Sequence, residues 1–132
     1  MRFACLIWLD GKELAALPRA DGEALDRACL AYDEDLERTE QLVLAQALQA
    51  PDQGVTVRVR NGKISTTDGP FAETKEQIGG LVLVEARDLH EAIQVAARSP
   101  LARLGSIEVR PVMEPSSRWP RSRGGRRALP RG

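Results

Sequence analysis

The chain has 132 residues, 42% of them apolar and 29% charged, with basic and acidic side chains in equal number, 19 of each. That length suits one domain with a core of its own, and the composition excludes a disordered chain, a disulfide scaffold and a helical membrane span, since no apolar run approaches the roughly 20 residues such a span needs. The neutral total hides a split: residues 1–113 carry 13 basic against 18 acidic groups, a net −5, whereas residues 114–132 carry six arginines against Glu114, a net +5.

Residues 2–9 are a short run with apolar side chains at both odd and even positions, which predicts a strand buried on both faces. Asp10-Gly11-Lys12 follows as turn chemistry, without the small-residue cleavage pattern of a secretory signal, so a cytoplasmic location is expected. Residues 13–19 fit one helical turn before Pro18. From about Asp21 to Glu40 the period becomes helical: Leu25, Ala28, Cys29, Tyr32 and Leu36 form a stripe continued by Val43, with Asp26, Arg27, Asp33, Glu34, Glu37 and Arg38 on the other face and Asp21 as N-cap. Residues 41–48 fit a strand by length, or a continuation of that helix.

A β-hairpin is the clearest local signal. Residues 55–60 alternate strictly, Asn61-Gly62 is a type I′ turn pair, and residues 63–67 return, which pairs Val59 with Ile64 and brings Asp68 out nearly opposite Val55. Residues 66–77 then form a loop dense in ionisable groups, and residues 78–86 a second strand apolar on both faces. Asp88 to Glu91 reads as a capping box ahead of a helix with the stripe Leu89, Ala92, Ile93, Ala96 and Ala97. A last alternating strand, residues 105–112, is confined to an edge or terminus by Pro111. Without the hairpin the order is βαββαβ, an α+β ferredoxin-like arrangement with an inserted hairpin. Two helices cover only one face of such a sheet, so a second copy of the chain is expected on the other, making a two-fold homodimer.

The loop supplies the candidate chemistry. Asp68 is the expected general base, Lys75 the group that stabilises developing negative charge, and Glu73 an orienting carboxylate, with Gly69-Pro70 fixing how Asp68 points. Phe71 would roof a cleft there, Arg58 would hold an anion from the polar face of the hairpin, and Trp8 would line the ligand space or an interface. A desolvated carboxylate in a concave, partly apolar pocket would favour an enzyme, and a solvated one a contact surface. His90, in the capping box, is expected to be solvated, and Cys5 and Cys29 to be buried, unreactive thiols. No metal-ligand cluster or phosphate-cradling loop is present, so no cofactor is expected. The arginine-rich tail, expected to be disordered, lacks interleaved aromatics and adjoins an acidic body, which argues against nucleic acid.

The stretches from Thr56 to Lys63, from Thr67 to Gly80 with its Asp68-Gly69-Pro70-Phe71 core, and from Gly105 to Val112 closely resemble the DGPF-domain proteins of the wider YCII-related family, over residues 1–113. The resemblance implies a dimeric α+β barrel, and a small bacterial protein often encoded beside an extracytoplasmic-function sigma factor. It implies no settled activity. Relatives in the superfamily include small isomerases, dehalogenating lyases and monooxygenases, and YCII-type members are suspected enzymes with a His and Asp pair in a cleft. The expected function is therefore binding of a small anionic or carbonyl-bearing metabolite, with cofactor-independent isomerase or lyase chemistry. The alternative is a non-catalytic regulatory partner, as of a sigma factor.

Overall fold

In a computed structural model of the chain, residues 1–113 are described; the tail singled out above lies outside them. Six strands and three helices follow in order: β1 (Arg2–Leu9), α1 (Gly11–Ala15), α2 (Arg19–Arg38), β2 (Leu42–Ala47), β3 (Val55–Arg60), β4 (Lys63–Asp68), β5 (Gln77–Glu85), α3 (Leu89–Ala97) and β6 (Ser106–Pro111). β2, β5, β1 and β6 lie in that order in one antiparallel sheet, and β3 and β4 make a separate two-stranded ribbon. This is the ferredoxin-like βαββαβ arrangement with an inserted hairpin.

The helix-covered face holds the core. Phe3, Cys5 and Ile7 of β1 and Val82 and Val84 of β5 alternate with their neighbours as pleated strands require, and they pack with Leu36 of α2 and with Ala92, Val95 and Ala96 of α3. On the opposite face Leu6 and Leu83 are half-buried and Leu44 is exposed. Residues 41–48 resolve as a strand because β2 completes its backbone hydrogen bonding on the edge of β5, in a register pairing Ala45 with Val82 and Gln46 with Leu81. The ribbon has the expected register, Val59 against Ile64 and Val55 against Asp68, with positive φ at Asn61 and Gly62 as a type I′ turn demands.

Two local expectations are corrected. The cap of α2 is Pro18, whose extended backbone leads into the helix with no side-chain cap bond, and Asp21 stands within the first turn. In α3 the buried stripe is Ala92, Val95 and Ala96, while Leu89, Ile93 and Ala97 are exposed. The rotation follows from packing: two alanines allow close approach to the sheet, and the Tyr32 hydroxyl donates to the carbonyl of Val95 at 2.7 Å, tying α3 to α2. Half of the capping box forms, the Glu91 amide donating to Asp88 Oδ1 at 2.9 Å, while Glu91 Oε1 reaches past the cap and accepts from the Arg87 amide at 3.1 Å.

Candidate functional site

The sheet residues that face the helices change in size along β2 and β5. At one end they are Leu42 and Val84, and from Ala45 onward Ala45, Ala47, Gly79 and Gly80, with Val82 opposite Ala45. Small residues leave space between α2 and the sheet, and Leu36, towards the C-terminal end of α2, is the only buried residue of that helix. The result is a cleft of about 340 Å³. Glycine is required in its floor: a Cβ on Gly80 would stand 2.9 Å from the carbonyl oxygen of Gln46 on the paired strand.

The walls are apolar with a few polar groups. Leu14, Leu25 and Tyr32 line it on the helical side, with Ile7, Leu9 and Leu81 from the sheet, and Asp26, Cys29, Asp33, Gln46 and Ser99 supply the polar atoms. Burial raises the pKa of Asp33 above the ordinary aspartate value. Burial also pushes up the Cys29 thiol, helped by the charges of Asp33 and Asp26, and the Tyr32 phenol is raised mainly by burial. Cys29 is therefore a thiol, not a thiolate, although it is only partly buried where full burial was expected.

Sequence reasoning put Asp26 and Asp33 on the solvated face of α2 and missed this site: Asp26 is exposed as expected, but Asp33 is half-buried. A signal existed. Asp26, Cys29 and Asp33 stand at i, i+3 and i+7, one helical stripe beside the apolar one, so a helix standing off its sheet turns them into the gap.

The loop residues expected to carry chemistry lie elsewhere. Asp68 ends β4, is exposed, and lines neither of the hollows described here. Gly69, at φ 99°, turns the chain with its amide donating to the Gly54 carbonyl at 2.8 Å, as the Gly-Pro bend predicted. Phe71 is 78% exposed, with the Arg58 guanidinium 5.7 Å from its ring centroid, and Glu73 is exposed. Lys75 does line a hollow, of about 510 Å³, together with Trp8, Asp10, Glu13, Thr74 and Glu76. A register shift between Ile7 and Trp8 pairs the indole's residue with Ile78, and the Trp8 Nε1 donates to Glu108 Oε1 at 3.2 Å. The loop is held by the Gln77 amide, which donates to the Ala72 carbonyl at 2.7 Å and the Thr74 carbonyl at 3.1 Å, and by Ser106 Oγ donating to Glu76 Oε1 at 3.0 Å. Lys75 and Trp8 thus line one hollow, without Asp68. His90 is exposed on α3, as expected.

The family model for the YCII-related domain matches residues 1–116. The chain belongs to the YCII-related family. It is 32% identical over 114 residues, 85% of this chain and 92% of the relative, to an uncharacterized protein of Rhizobium meliloti (strain 1021). Among solved structures it is similar to 5-chloro-2-hydroxyhydroquinone dehydrochlorinase from Burkholderia phenoliruptrix in complex with 2,5-dihydroxybenzoquinone, with a TM-score of 0.51, 18% identity, and coverage of 88% of this chain and 97% of that one. That likeness shows the fold of this YCII-related protein. Among its described residues, no helix is long and apolar enough to cross a membrane.

Proposed function

We propose that this YCII-related protein binds a small metabolite in the cleft between α2 and the sheet, and that Asp33 is the proton acceptor of a cofactor-independent isomerisation or elimination there. The observation that carries the reading is a half-buried carboxylate on the wall of a largely apolar cleft, its pKa raised by that burial. Burial penalises the charged form of Asp33 and moves its pKa towards neutrality, where a general base works best. A fold neighbour solved with a dihydroxybenzoquinone supports a small cyclic ligand.

A thermal-shift screen of quinones, hydroxylated aromatics and small carboxylates against wild type, Asp33→Asn and Asp68→Asn tests this. Loss of a ligand-induced shift in Asp33→Asn, with retention in Asp68→Asn, is the expected pattern. The reverse pattern would move the site to the loop.

The same substitution has a signed effect on stability. A carboxylate whose folded pKa is raised favours folding least when ionised, so its cost is absent below the unfolded pKa and grows as pH rises through the folded value. Asp33→Asn is expected to melt higher than wild type at pH 7 and to lose that advantage at pH 3. Equal differences at both pH values would show Asp33 to be solvated.

A second reading places the function on the hairpin and loop. Val55, Val57, Val59 and Ile64 are exposed on one face of the ribbon, and Phe71 beyond it. Such an apolar row suits a macromolecular contact, the regulatory alternative. If the loop is instead a ligand site, Asp68, Lys75 and Glu73 keep the roles of base, charge stabiliser and orienting group.

We also propose that the helix-free face is closed by a second copy of the chain, since Leu6, Leu44 and Leu83 together make an apolar surface that no helix covers. A dimer is expected in sedimentation at micromolar concentration, and Leu83→Glu is expected to shift it to monomer. A wild-type monomer would overturn the assignment.

A further inference from the structure

We infer that the cleft takes an uncharged, flat ligand that carries hydroxyl donors, such as a phenol or hydroquinone, and rejects carboxylated versions of the same ring. The inference rests on the cleft being the binding site and concerns what enters it.

Charge is the first argument. Asp26 and Asp33 both line the cleft from one stripe of α2, and none of the described residues lining it is basic. The charge of Arg98 acts on Tyr32, but Arg98 lines the hollow on the other side of that residue, with Asp35 and Gln41. An anionic ligand would meet the half-buried charge of Asp33 and, on the same stripe, that of the exposed Asp26. A carboxylate held within about 6 Å of one aspartate, at the effective dielectric of a partly buried site, is weakened roughly a hundredfold relative to its neutral parent.

Hydrogen-bonding capacity is the second. Among the described residues neither Asp26 nor Asp33 receives a side-chain hydrogen bond, and an ionised carboxylate only accepts. A ligand seated against Asp33 satisfies it by bringing an O–H. The Ser99 hydroxyl already accepts from the Leu101 amide at 3.3 Å, which leaves its own proton to meet a ring oxygen on the far side. A floor of Gly79, Gly80 and Ala45 presents little side-chain relief, the surface a flat ring covers best.

The test compares matched pairs by calorimetry on the full chain: hydroquinone against 2,5-dihydroxybenzoate, and catechol against 3,4-dihydroxybenzoate. The neutral member of each pair is expected to bind at least tenfold more tightly, and the preference to shrink in Asp33→Asn. Equal or tighter binding of the carboxylates, lost in Asp33→Asn, would overturn the charge selection while leaving the cleft as the site. Binding indifferent to Asp33→Asn and to Gly80→Ala would remove the cleft itself from consideration. No binding by any of the four at tens of millimolar would overturn the ligand class.

Discussion

Gly105→Ala is expected to be the most disruptive single methyl that can be added to this protein. A Cβ at Gly105 would stand 2.1 Å from the backbone oxygen of Trp8 and 2.9 Å from Leu9 Cδ2. The first contact is with backbone, so no rotamer change relieves it, and the end of β1 and the entry to β6 must separate. Inserting volume into a site that cannot yield destabilises by about 3 kcal/mol, at the upper end of overpacking costs. For a domain of this size that corresponds to a melting temperature roughly 12 °C lower. Gly22→Ala is the control of opposite sign. Gly22 lies within α2 with nothing within 4 Å of its built Cβ, so alanine there is expected to add roughly 0.5–1 kcal/mol of stability. Thermal melts of both variants decide the matter: similar melting temperatures would mean that the approach of Gly105 to β1 is looser than described.

Leu36→Ala carries the second large expectation, and it bears on the site. Leu36 is 1% exposed and is the only buried residue of the 20-residue helix α2. The rest of the helix is tied down by little else, chiefly the Tyr32 hydroxyl on the Val95 carbonyl. Truncation removes the transfer free energy of the side chain and leaves a cavity against Phe3 and Val84, a loss of about 3 kcal/mol. Because α2 is one wall of the cleft, the loss should also be local. Amide hydrogen exchange is expected to accelerate along α2 well before the central strands β1 and β5 respond. Uniform acceleration across the domain would show that α2 is held by more than this one anchor.

Much of the fold was legible because it is written in local periods. The strict alternation before Asn61-Gly62 specified the hairpin and its register, since a two-residue loop allows one pairing and a slip would turn every valine over. Runs apolar on both faces marked β1 and β5 as the central strands, and Pro111 marked β6 as an edge. Helix faces were read less well. In α3 the stripe chosen by hydropathy included Leu89 and Ile93, yet close packing of Ala92 and Ala96 against the sheet turned those larger side chains outward. Asp21 looked like a cap by residue type, but Pro18 sets the start of the helix two residues earlier than the apolar pattern does.

The site shows the same division. The chain by itself determined that one βαββαβ domain with an inserted hairpin would form, and that Asp68 would emerge opposite Val55 ahead of a Gly-Pro bend, because those features depend on neighbours a few residues apart. What only the tertiary structure decided is where a carboxylate loses its water. Asp68 and Asp33 are the same residue type with equally polar sequence neighbours. They differ because the first ends an exposed ribbon, while the second sits where Gly79, Gly80, Ala45 and Ala47 hold α2 away from the sheet, and its partial desolvation depends on residues brought together from both 12 and more than 40 positions along the chain.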